Sequence, residues 1–332
     1  MAKHFCSASL TATLVAGAVL LLTGCGSGSA DDAGSSSGGS AGLTSLKVGS
    51  SPTLTNASLY LATQDGTFKA NNLKVTPQQV TSGAQALPML LNGQIQFTAA
   101  DPLGAIKAIS EKMAVKIVGQ GSVNATEAAK DSTVLVVAPG KVTSVAGLSG
   151  KTVAVNALGG LAEVAARAAI DAKGGTSKDV RFVEMSFTQM VAAVENGKVD
   201  GAVLNEPFVS QARSAGLTDL VPVMSTSMPT VPNSVYLTSE SYAKSHPEVV
   251  QAFSESLDTA NVTLSKDPAK IREVAAESTE TSAEDLAKIV LPTFPDQPLS
   301  RQTLDGLQTL MVKYGILDSP IDLSSYMLVA QP

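Results

Sequence analysis

A strand–helix–strand–helix–strand order runs through residues 46–100 and returns through residues 151–204. This duplication limits the fold more than any single motif. In the first copy, residues 46–49 are strand-like, residues 57–62 are helix-like, and Asp65-Gly66 marks a turn. Residues 73–76 alternate apolar and polar side chains, as a half-buried strand does. Ser82 to Gln85 has capping-box spacing, and the helix after it ends at Asn92-Gly93 before a strand at 95–100. The second copy places strands at 151–155, 180–185 and 199–204, with helices at 161–172 and 188–195. The copies agree in detail. Asn92-Gly93-Gln94-Ile95-Gln96 parallels Asn196-Gly197-Lys198-Val199-Asp200, and an acid followed by proline closes each unit, at Asp101-Pro102 and Glu206-Pro207. Alternating strands and helices imply parallel sheets flanked by helices. The expectation is two similar α/β lobes: lobe I from 44–132 and 238–332, lobe II from 133–237. Strand-like runs at 133–138 and 234–238 are expected to cross between the lobes as a hinge. The C-terminal part reads as helical at 249–264, 282–290 and 302–314.

Ahead of these units, residues 10–22 are apolar or small and end in Leu22-Thr23-Gly24-Cys25. Such a run suits the core of a secretion signal and is shorter than the roughly 20 residues a bilayer span needs. Leu-Thr-Gly-Cys resembles the bacterial lipobox, which implies a signal peptide over 1–24 and a lipid on Cys25. Residues 25–43 are nearly all Gly, Ser, Ala and Asp, a composition that cannot bury enough apolar surface to fold and so acts as a tether. The expected location is the outer face of the cell membrane, lipid-anchored after export. Only Cys6 and Cys25 exist, so the mature domain has no intramolecular disulfide and no thiolate metal site. A balance of 23 basic to 29 acidic residues argues against a nucleic-acid surface. With no Trp, the core falls to Ala, Val, Leu and Ile.

Several short stretches then carry a family resemblance. They are Leu59-Tyr60-Leu61-Ala62 with Gly66 and Phe68, Gly83-Ala84-Gln85-Ala86-Leu87-Pro88, and Leu148-Ser149-Gly150-Lys151-Thr152-Val153. Further along come Glu206-Pro207-Phe208, His246-Pro247-Glu248-Val249-Val250 with Phe253, and Leu291-Pro292 with Phe294-Pro295. Their order resembles the solute-binding proteins of ABC importers. The branch is that of alkanesulfonate, taurine and nitrate binders, which includes proteins binding a pyrimidine precursor of thiamine. The resemblance covers residues 46–329. It implies an α/β, two-lobed periplasmic-binding-protein type II fold, each lobe a mainly parallel sheet flanked by helices, closing about two hinge strands. It further implies a monomer that captures a small polar solute for the transmembrane subunits of an ABC permease. No cofactor and no metal are expected.

In open parallel α/β sheets, ligands sit beyond the carboxyl ends of the strands. Six loops follow such ends: 50–56, 81–85 and 100–103 in the first unit, and 156–161, 186–189 and 205–208 in the second. They carry Ser, Thr, Asn, Gln, Gly, two acids and two Phe, but no Lys or Arg. From these loops the candidate ligand contacts are Asn56, Ser82, Gly83, Gln85, Asp101, Asn156, Gly159, Gly160, Thr188, Asn205 and Glu206. Asn233 is added by spacing. Gly159-Gly160 leads into a helix whose free N–H groups suit an anion. Asp101 and Glu206 instead suit a ligand with N–H donors or positive charge, and Phe187 and Phe208 suit a ring. Each has a plainer reading: Glu206 as a helix cap, Ser82 and Ser186 as caps, Asn56 and Asn156 as turn formers, Phe187 as core. Sulfonate, nitrate, bicarbonate and aminopyrimidine all remain as solutes.

Two enzyme motifs are coincidental. Gly38-Gly39-Ser40-Ala41-Gly42 has nucleophile-elbow spacing but lies in the tether, and Gly150-Lys151-Thr152 lacks the earlier glycine of a phosphate loop, with Val145 in its place. Of two histidines, His4 lies in the leader and His246 at a helix start. A metal-dependent pyrimidine-precursor synthase on the same fold and a ligand-sensing receptor subunit stand as the alternatives.

Overall fold

The computed structural model describes residues 42–278 and 281–328. The leader, Cys25 and the tether up to residue 41 lie outside the described residues. Lobe I begins with β1 (Thr44–Ser50), α1 (Ala57–Gln64) and α2 (Thr67–Ala70). It continues through β2 (Leu73–Gln79), α3 (Gly83–Leu91), β3 (Phe97–Ala100), α4 (Pro102–Ser110) and β4 (Val115–Gln120). The chain then enters lobe II as β5 (Thr133–Val137), β6 (Thr152–Val155), α5 (Leu161–Ala172) and β7 (Arg181–Glu184). Next come α6 (Phe187–Glu195), β8 (Gly201–Asn205), α7 (Phe208–Ser214), β9 (Thr218–Pro222) and α8 (Met224–Ser227). It returns to lobe I as β10 (Val235–Ser239), α9 (Glu240–Ser245), α10 (Pro247–Lys266), α11 (Ala269–Ser278), α12 (Ala283–Lys288) and α13 (Arg301–Lys313).

The two five-stranded sheets have the same plan. Their orders are β2-β1-β3-β10-β4 and β7-β6-β8-β5-β9. Four strands in each point the same way, and the fifth, β10 or β5, runs antiparallel between its neighbours. That odd strand is the one that has just crossed from the other lobe. One crossing segment leaves the end of β4 and the other leads directly into β10. Residues 121–124 pair with 231–234 through Gly121 N–H to Ser234 O, Asn233 N–H to Ser122 O and Asn124 N–H to Val231 O, at 2.8 to 2.9 Å. The strands read as crossing segments therefore lie wholly within the sheets, and β10 joins lobe I from Val235 rather than from 238.

Apolar periodicity explains the packing. In lobe I, Phe253 of α10 stacks on Phe97 of β3 at 3.9 Å between ring centres and on Phe68 of α2 at 5.4 Å. In lobe II, Val134, Val136, Ala154 and Leu204 face Phe187, Met190 and Val194 of α6. A third cluster joins the lobes, combining Leu103 and Ile106 of α4 with Leu161, Ala165 and Ala169 of α5 and Leu304 and Met311 of α13. Among the described residues, no helix is long and apolar enough to cross a membrane.

Candidate functional site

A cavity of about 40 Å³ lies where the carboxyl ends of both sheets face each other, and all six loops border it. Lobe I contributes Ser51, Thr53, Thr55 and Asn56 from its first loop, Ser82 and Gly83 from the start of α3, and Asp101. Lobe II contributes Asn156, Leu161, Phe187 and Asn205, and the crossing segment adds Asn233 and Ser234. Four asparagines thus meet from two lobes and a hinge. Asp101 is the one titratable side chain on this wall.

Gly83 shows why the loop folds as it does. A Cβ built there would lie 2.3 Å from the Ala100 Cβ, so only glycine lets α3 start against the end of β3. The Ser82 hydroxyl accepts from the Gln85 N–H at 3.3 Å and caps the helix. Asn56, 2% exposed, donates through Nδ2 to the Ser51 carbonyl at 3.3 Å, and its Oδ1 has no partner among the described residues. Asn205 Oδ1 accepts from the Thr133 hydroxyl at 2.7 Å, and Asn233 Nδ2 donates to Asn124 Oδ1 at 2.9 Å.

Asp101 caps α4, with Oδ1 accepting from the Gly104 N–H at 2.8 Å, and the same oxygen accepts from the Leu161 N–H of lobe II at 2.9 Å. Burial pushes its carboxyl pKa up, against the lowering effect of these N–H donors. Glu206 makes the reciprocal contact. Its carboxylate accepts from the Ser210 N–H and hydroxyl at the start of α7, both at 3.0 Å, and from the Val290 N–H of lobe I at 3.1 Å. Its backbone carbonyl also accepts from the Leu54 N–H at 2.9 Å. Burial raises the Glu206 pKa, opposed by those N–H groups and by Arg213 at 3.7 Å. Each acid of the repeated acid–proline pair caps its own helix and holds the opposite lobe.

Five candidate contacts stand away from the cavity. Glu206 is 1% exposed and its carboxylate is consumed by packing, so the helix-cap reading describes it. The Gly159 N–H is occupied by Glu163 Oε2 at 2.9 Å, which leaves it none to offer an anion. Gly160 gives clearance: a Cβ there would lie 3.0 Å from Asp101 Oδ2. Gln85 is exposed and donates across the mouth to Glu184 Oε1 at 2.7 Å. Thr188 is exposed and lines a separate outer groove that Phe187 also borders. Phe187 and Phe208 stack on each other at 5.7 Å instead of framing a ring. The cavity does gather Asn56, Ser82, Gly83, Asp101, Asn156, Asn205 and Asn233. Ser51, Thr53, Thr55, Met224 and Ser234 line it without having been singled out. The first three lie in a loop the topology had placed at the cleft, and nothing local in the sequence marks Met224.

The NMT1/THI5-like family model matches residues 54–271, from the first cavity loop through both sheets to α11. The chain belongs to the NMT1/THI5-like family. Solved structures share the family fold over most of their length. A ligand-binding component of an ABC-type import system from Staphylococcus aureus, with zinc bound, is 15% identical with TM-score 0.75, covering 86% of this chain and 96% of that one. The alkanesulfonate-binding protein SsuA from Xanthomonas axonopodis pv. citri, bound to MOPS, is 22% identical with TM-score 0.72, covering 88% and 100%. The nitrate-binding protein NrtA from Synechocystis PCC 6803 is 15% identical with TM-score 0.69, covering 83% and 82%. At these identities the likeness establishes the periplasmic-binding fold. No curated protein matches the chain by sequence. Among the described residues, no group of three His, Cys, Asp or Glu side chains could hold a metal ion, and His246 lies in the surface, stacked on Tyr242.

Proposed function

We propose that this chain is the extracytoplasmic solute-binding component of an ABC importer. It captures a small polar solute between its lobes and delivers it to the transmembrane subunits of a permease. The observation that carries this reading is the polar cavity shared by two lobes and their crossing segments, with each lobe supplying part of the wall. Only the closed arrangement brings both halves to a solute, so binding shifts an open–closed equilibrium toward closure. The fold shared with proteins named for ABC import, alkanesulfonate and nitrate supports the same reading. A lipid on Cys25 and the following tether hold the protein at the outer face of the membrane.

A thermal-shift screen tests it, with one panel of sulfonates and oxyanions and one of uncharged nitrogen compounds. A solute at about 100 times its dissociation constant stabilises the native state by about 2.7 kcal/mol, a clear rise in melting temperature. A protein that responds to neither panel speaks against solute capture. The anchor has its own test. Cys25→Ala is expected to move the protein from the membrane to the soluble fraction, and continued membrane association would rule the anchor out.

A further inference from the structure

We propose that the cavity selects a compact, uncharged solute of the carboxamide class, placing an N–H on Asn56 Oδ1 and a carbonyl at the start of α3. This rests on the solute-binding reading above and narrows it to one ligand chemistry.

Charge comes first. The Asp101 carboxylate sits at the N-termini of α4 and α5, each equivalent to about half a positive charge, so the two ends balance one carboxylate. No Lys, Arg or His lines the cavity to neutralise a bound anion, and burying an unpaired ion costs several kcal/mol. A cation fares no better. Asp101 Oδ1 already accepts two N–H groups, and Oδ2 lies against Gly104 and Gly160. The site is electrically close to neutral and favours a neutral guest.

Hydrogen bonding then gives the guest its polarity. Asn56 Oδ1 is a buried acceptor without a donor, a costly arrangement that a solute N–H relieves. The Gly83 N–H, in the first turn of α3, has no helical partner and bonds nothing else among the described residues. It supplies the donor for a solute carbonyl. From the other lobe, the Asn156 amide also lacks a protein partner among the described residues, and it offers both a donor and an acceptor. A guest must therefore carry both functions.

Size completes the choice. The cavity of about 40 Å³ is compact, and acetamide and urea are among the smallest molecules that carry a carbonyl and an N–H donor together.

Isothermal titration of the purified full-length protein decides it, using acetamide and millimolar urea beside nitrate, bicarbonate, ethanesulfonate and 4-aminopyrimidine. The expected result is binding of acetamide or urea and none of the anions. Asn56→Leu should then weaken binding at least about tenfold, the worth of one buried hydrogen bond. Asn156→Leu should weaken it similarly without lowering the solute-free melting temperature, which separates ligand contact from folding. Tighter binding of any anion overturns the inference and leaves the importer reading standing. Binding of 4-aminopyrimidine alone overturns the amide class. Silence across every probe overturns the inference, and with silence in the wider thermal screen it removes the importer reading too.

Discussion

Asp101 and Glu206 each precede a proline at a strand end, but they meet different surroundings because of where their helices lead. Asp101 faces the cavity, while Glu206 is sealed behind α7 with Val290 and Arg213. Glu206→Ala would leave the buried Ser210 and Val290 N–H groups unpaired, at about 1–3 kcal/mol each. We expect a loss of about 2–6 kcal/mol of stability in urea denaturation; an unchanged midpoint would refute the structural role. Asp258 on α10 makes a second residue-level test. Burial first, and then Glu255, raise its pKa from 3.8 to about 6. Between those values the native state holds the extra proton, so this group's contribution to stability falls as pH rises from 3.8 to about 6. Asp258→Asn should therefore stabilise the protein at neutral pH, by on the order of 1 kcal/mol once solvent screening is allowed for, and lose that advantage below pH 4. Denaturation curves at the two pH values measure the difference.

At the scale of elements, α5 is held by lobe I at both ends. Its first N–H is bound by Asp101, and Asp171 near its last turn accepts from the Tyr314 hydroxyl at 3.0 Å. Burial, and then Asp171, push the Tyr314 pKa up to about 12, so this contact persists across the physiological range. Asp101→Ala removes the first grip. The expected result is faster hydrogen exchange at the Leu161 amide and a larger radius of gyration in solution scattering; unchanged values for both would mean that Asp101 does not hold the lobes. Helices α4 and α7 are among the elements that the sequence pattern did not place. The acid–proline pairs that begin them suit ligand loops, with a helix cap as the plainer reading for Glu206, and the structure uses both acids as helix-start acceptors. Helix α5, with its long Ala-rich face, was legible to the residue.

In the whole molecule, two clusters belong to single lobes, and the third runs from α4 across α5 to α13. A shared core of that kind makes the lobes unfold together. Calorimetry should show one transition whose van't Hoff and calorimetric enthalpies agree, and two separable transitions would contradict the coupling. Periodicity and repetition along the chain determined the strands and helices of the repeated α/β unit, its doubling and the six loops that meet at the cleft, because these follow from local pattern and from the rule that ligands sit beyond strand ends. Which loop residues face inward was decided only by the tertiary structure. Asn56 and Glu206 are both polar loop residues. One is left with an unpartnered acceptor at the cavity and the other is consumed by Val290, 84 positions along the chain. The direction of a side chain depends on partners distant in sequence, and no local spacing encodes them.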